Sequence, residues 1–207
     1  MNGMEALLHG VILAFGLILP LGVQNVFIFN QGAIHKRFTG TLPAVVTAGI
    51  CDTLLISLAV AGVSIIVLNF EWLRNLLFIV GFLFLAYMGW SIWKTSGQGA
   101  SNGRKELFSA KRQVAFAASV SLLNPHAILD TIGVIGTASL VYAGVDKWLF
   151  TIACIVVSWI WFFALAMTGR KVGQFDQRGS FLKRLNQVSA LVVWGMAIYM
   201  GYMVLAH

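Results

Sequence analysis

The residues able to do chemistry in this 207-residue chain are few, and they sit where polarity is expensive. LLNPHAILD (122–130) places Asn124, Pro125, His126 and Asp130 within an otherwise apolar run. PLGVQN (20–25) sets Pro20 beside the amides of Gln24 and Asn25, and Asp52 follows Cys51 in a third apolar stretch. A carboxylate at a bilayer centre costs at least ~2.5–3.5 kcal/mol to insert, so it normally faces a cavity, a proton or a cation. Asp52 and Asp130 are therefore candidates for binding a cationic ligand or protons. Proline lacks an N–H and disfavours helical geometry in the residue before it, so Asn124-Pro125 predicts a local helix break and Pro20 another. Gln24, Asn25 and Asn124 can satisfy the backbone groups freed there. They can equally meet the charged ends of a zwitterion, which half-helix dipoles also favour. His126 and Asp130 are four apart and share a helix face, which allows a proton relay; capping of the freed backbone by the imidazole is the equal alternative.

Elements that could hold such residues must be long apolar helices. The chain is 59% hydrophobic and 10% charged, with a mean hydropathy of +0.86, whereas soluble domains carry roughly 25% charged residues. Continuous apolar runs approach the ~20 residues that cross a bilayer as helix, and they lack the alternation of a membrane β-barrel. The fold class is all-α and polytopic, with six predicted spans at about 5–29, 42–68, 76–93, 114–141, 148–168 and 185–205. No basic region precedes the first run, which is therefore read as a retained span rather than a secretory signal. Counted by loop, the first, third and fifth hold twelve Lys and Arg, against Arg74 and Lys147 in the second and fourth. The positive-inside rule then puts the odd loops in the cytoplasm and both termini outside; a first span made re-entrant by Pro20 and Gln24-Asn25 is the alternative, with five full crossings and the N-terminus inside. Those loops and the anionic headgroups beside them account for the net charge of +7, and no nucleic-acid partner is implied.

The chain reads as one transmembrane domain, 1–207, in two halves: 1–94 and 113–207, joined by a Gly/Ser-rich cytoplasmic linker at 95–112. Three spans per half is an odd number, so the second half inserts upside down relative to the first. Each half opens with a proline-interrupted helix, and interruptions at matching places in inverted repeats mark a transporter's binding site. No Lys or Arg falls at the centre of a span. A cationic cargo would supply the charge that these carboxylates call for.

Other chemistries compete for the same residues. Cys51 and Cys154 occupy matching spans and raise a thiol-redox carrier, but there is no Cys-x-x-Cys and no neighbouring cation to stabilise a thiolate. Asp52 and Asp130 as a protease dyad would need one shared depth, and the sequence sets them at different ones. A divalent-metal exporter would draw three ligands from His126, Asp130 and Asp52. Trp159 and Trp161 lie mid-span, where an indole either packs between helices or stacks on a substrate cation.

Four motifs in order carry a resemblance over essentially the whole chain. PLGVQN with Gln31-Gly32, Cys51-Asp52, LNPHAILD (123–130) and SWIWF (158–162) resemble the LysE-type exporters, the lysine/arginine efflux family of bacterial plasma membranes. The first signature departs modestly, with its proline earlier than in the family's Gly-Pro-Gln-Asn form. The resemblance implies secondary active export of basic L-amino acids by alternating access, one half rocking against the other. Proton motive force would drive it, with no enzymatic step, cofactor or bound metal. Asp52 and Asp130 become candidates for the side-chain cation or for protons, and Gln24, Asn25 and Asn124 for the α-carboxylate and α-amino groups. Exporters of neutral amino acids or other small metabolites are the nearest alternative. Ala197-x-x-x-Gly201 is a small-residue pattern that serves either a homodimer face or packing within the bundle.

Overall fold

The computed structural model describes residues 3–20, 22–35, 37–63, 70–97, 108–122, 124–175 and 180–205. Most of the linker, the side chains of Pro125 and His126, and the basic residues Lys36, Arg104, Lys105 and Arg178 lie outside the described residues. Among the described residues the protein is helical. Its elements are α1 (Gly3–Ile18), α2 (Val23–Ile34), α3 (Leu42–Leu58), α4 (Glu71–Gly97), α5 (Ala110–Leu122), α6 (Pro125–Asp130), α7 (Gly144–Phe175) and α8 (Ser180–Leu205). Two widened, π-type turns extend this set: Ala59–Val63 continues α3, and Thr131–Gly136 continues α6.

Both interruptions fall where proline chemistry predicts them. The α1–α2 pair bends by 80°, and the α5–α6 pair by 57°. Pro20 can accept but not donate a hydrogen bond, so α1 stops at Ile18 and leaves carbonyls without intrahelical partners. Asn25 supplies the missing donors, its Nδ2 reaching Ile18 O at 2.7 Å and Pro20 O at 2.8 Å. Asn124 is extended (φ −87°, ψ 100°), as a residue before proline prefers to be. Gly144 enters α7 at φ +55°, a conformation that favours glycine.

Residues 42–62 and α7 are each long and apolar enough to cross a membrane, and each bent pair passes the same test as a unit. Helices α4 and α8, with 27 and 26 residues, fall at the positions read as the third and sixth spans, but among the described residues only residues 42–62, α7 and the two bent pairs are long and apolar enough to cross. At 1.5 Å per residue α4 and α8 are each about 40 Å long. Leu54, Leu58, Ile152, Val156, Ile160 and Ile198 face outward. Apolar surface exposed on this scale marks a lipid-facing wall rather than a water-facing one.

Packing joins helices across the linker. Both α1 and α2 lie along α7, α4 lies on α8, and α3 lies between α5 and α7. Glycines set these approaches. A Cβ on Gly32 would overlap the Ala166 carbonyl, and one on Gly169 would overlap that of Phe29, so α2 and α7 touch backbone to backbone. Gly89 lies under Trp194, whose Nε1 donates to Ala86 O at 3.2 Å. Ala197 is buried, and a Cβ on Gly201 would meet Phe82 at 3.2 Å, so this small-residue face is used inside the bundle. Helices of the two halves expected from sequence thus interlace.

Candidate functional site

The two helix breaks meet. Val23 at the start of α2 and Val120 near the end of α5 belong to one core cluster with Leu85, Met88, Val193 and Ala197. Beside that cluster lies a cavity of about 350 Å³, and Pro20, Gln24, Asn25, Asp52, Asn124 and Asp130 all line it. Residues drawn from sequence positions more than a hundred apart therefore converge on one space. Asn124, Ala127, Asp130 and Thr131 reach it because three- and four-residue steps return to the same helix face.

The polar groups around the cavity are not equivalent. Gln24 Nε2 donates to Asp52 Oδ1 at 3.4 Å, a long bond that links α2 to α3. Asn25 has its Nδ2 on two carbonyls, and its Oδ1 accepts from Trp161 Nε1 at 3.3 Å. That amide is occupied on both sides in holding the first break together. Asn124 is buried like Asn25, yet its Oδ1 accepts no hydrogen bond from the described residues.

Sequence reasoning missed two cavity hydroxyls, Thr131 and Ser158. Ser158 opens the SWIWF motif and Thr131 follows Asp130, so a hydroxyl beside a marked residue was the available signal. Neither Trp159 nor Trp161 is on the cavity wall. Trp159 covers Gly49, donates to Thr53 Oγ1 at 3.1 Å and stacks on Phe163, while Trp161 meets Phe15 edge-on. Cys51 and Cys154 are buried free thiols away from the wall, and Cys154 Sγ donates to Gly10 O at 3.5 Å. Among the described residues, no three His, Cys, Asp or Glu side chains are grouped so as to hold a metal ion. His126 stands outside this account, its side chain being outside the described residues.

Two carboxylates, several amides and two hydroxyls on a small, mostly hydrocarbon-walled cavity suit a compact polar ligand carrying positive charge, held by charge-assisted hydrogen bonds. The family model described as "LysE type translocator" matches residues 15–204. The chain is 57% identical over 198 residues to "Putative amino-acid transporter YisU" of Bacillus subtilis (strain 168), covering 96% of this chain and 90% of that protein. It is 30% identical over 199 residues to "Arginine exporter protein ArgO" of Pectobacterium atrosepticum, with 94% and 95% covered. It is 31% identical over 206 residues to the ArgO protein of Salmonella typhi, with 96% and 94% covered. No solved structure matches the chain. With a family match that runs almost from end to end, and with its marked residues gathered on one cavity between broken helices, this chain belongs to the LysE type translocators.

Proposed function

We propose that the protein exports basic L-amino acids, arginine or lysine, across a bacterial plasma membrane, exchanging cargo against protons. The observation that carries the reading is the placement of Asp52 and Asp130 on one cavity between two interrupted helices. An ammonium or guanidinium group there gains charge-assisted hydrogen bonds that a neutral side chain cannot make. The relatives named as arginine exporters support the same cargo class. A carboxylate that releases the cation can take a proton in its place, so a more acidic exterior favours unloading on that side. The basic loops orient the protein with its odd loops in the cytoplasm.

Alternating access requires groups that move as bodies. Interlaced packing favours motion of the α4–α8 pair against α1, α2 and α7 over rocking of sequence halves. The α4–α8 pair is joined to α2 by Asn30 Nδ2 donating to Asn186 Oδ1 at 2.6 Å and by the side-chain cluster around Val23.

Counterflow in proteoliposomes preloaded with labelled arginine tests the reading. Exchange with external arginine, lysine or ornithine, accelerated by a proton gradient, is the expected result. Exchange with neutral amino acids alone would transfer the protein to the neutral branch, and no exchange with any amino acid would overturn the proposal.

A further inference from the structure

The two breaks each carry an asparagine on the cavity, and the two amides are used in opposite ways. Asn25 spends its donors on Ile18 O and Pro20 O and its acceptor on Trp161. Asn124 is 9% exposed, lines the cavity, and holds an oxygen that accepts no hydrogen bond from the described residues. Its side chain does not cap α6 either. A buried acceptor left unmade costs about 1–3 kcal/mol, so such a group is normally completed by a partner. That oxygen is itself buried, so a turn of the amide about its last side-chain bond is what would bring it to a ligand in the cavity.

Across the cavity, α2 begins at Gly22, which offers no side chain to cap the first N–H groups of the helix. Neither space nor backbone requires this glycine. Its φ is −72°, and a Cβ there would meet nothing within 4 Å. Without that Cβ the start of α2 lies open to the cavity that Gly22, Val23 and Gln24 line. Unsatisfied N–H groups at a helix start, with the positive end of the dipole, favour a carboxylate.

Resting on the reading of the protein as an amino-acid exporter, we infer that the cavity fixes the polarity of its cargo. The α-carboxylate docks at the start of α2, the α-ammonium donates to Asn124 Oδ1, and the side chain runs toward the aspartates. Gly22 and Asn124 line the same cavity of about 350 Å³, so a ligand held there meets both breaks. Asn124 is then a specificity-determining residue and Asn25 a positioning one.

The test is a ligand-by-variant comparison in counterflow, with arginine, agmatine (no carboxylate) and 5-guanidinopentanoate (no α-ammonium). The wild-type protein should prefer arginine over each analogue by about tenfold or more, as loss of one hydrogen bond to a charged group implies. Asn124→Ala should collapse the arginine/5-guanidinopentanoate ratio toward unity and leave the arginine/agmatine ratio high. Asn124→Asp, which retains an acceptor, should keep the first ratio and serves if the alanine variant does not fold. Gly22→Val should do the converse, lowering the agmatine ratio alone. If arginine exchanges in the wild type but Asn124→Ala weakens arginine and 5-guanidinopentanoate equally, the inference fails while basic amino-acid export stands. If no basic amino acid exchanges in the wild type, both fall together.

Discussion

Gln24 and Asp52 face each other across 3.4 Å, the amide of one broken helix donating to the carboxylate of the helix beside it. At that length the bond is weak, and a cargo N–H competes with it readily. Under the proposed function, cargo that claims Asp52 also releases Gln24.

Asp52→Asn preserves the shape of the side chain and removes its charge. Charge-assisted hydrogen bonds contribute about 1.5–3 kcal/mol, so arginine exchange should fall roughly 10- to 100-fold at equal protein. Gln24→Ala removes only the weak link, and a loss below about tenfold is expected. Initial counterflow rates normalised to reconstituted protein check both. Equal losses would mean that Gln24, not the charge, governs binding.

Asn25→Ala acts on the fold rather than on the ligand. It strips donors from Ile18 O and Pro20 O and an acceptor from Trp161. Ile18 O loses its donor while Pro20 O keeps Gly22 N at 2.7 Å, and one carbonyl left unpaired should cost about 1–3 kcal/mol. The variant should unfold in detergent at lower temperature and accumulate less, while the correctly folded fraction keeps its arginine affinity within a few-fold. A wild-type melting curve combined with lost affinity would place Asn25 among the ligands.

This asparagine also marks how far the sequence could be read. Proline acts locally, so Pro20 and Asn124-Pro125 announced their breaks, and the polar residues beside them converge on the cavity. What a polar side chain does once inside depends on partners far along the chain, and Asn25 and Asn124 look alike until Trp161 and the Ile18 carbonyl are in place. The wide turns at Ala59–Val63 and Thr131–Gly136 pack on each other through Ala59 and Ile132, and the first turns on Gly62 at φ +104°, a glycine that the sequence reading passed over. Interlacing of the halves was equally hidden, because hydropathy reports that a helix meets lipid but not which helix lies behind it. The tryptophans of SWIWF stood out by type, and their partners turned out to be a glycine, a threonine and Asn25.

Gly32 and Gly169 let α2 and α7 meet backbone to backbone, each facing a carbonyl of the other helix. Gly169→Val has no flexible side chain to push aside, and overpacking of this kind costs about 1–3 kcal/mol or more. Expression should drop sharply. Gly16→Val is the matched control, since a Cβ there meets nothing within 4 Å, and it should accumulate normally. Loss of both variants alike would show that the α2–α7 approach is not the cause.

Cys51 and Cys154 give the last discrimination, between a carrier of cargo and a carrier of reducing equivalents. Both thiols are buried and free, and neither lines the cavity. Cys154 donates to the Gly10 carbonyl, where α1 meets α7, and a serine hydroxyl can donate to the same oxygen. Cys51→Ser with Cys154→Ser should therefore lose only about 1–2 kcal/mol of packing and retain at least half of the arginine exchange, as small buried thiols behave mainly as hydrophobes. Thiol exchange would demand the reverse, because without sulfur there is no electron carrier. Pre-treatment of the wild type with a reductant or a mild oxidant should leave arginine counterflow unchanged. A double variant that folds yet exports nothing would return the cysteines to the mechanism.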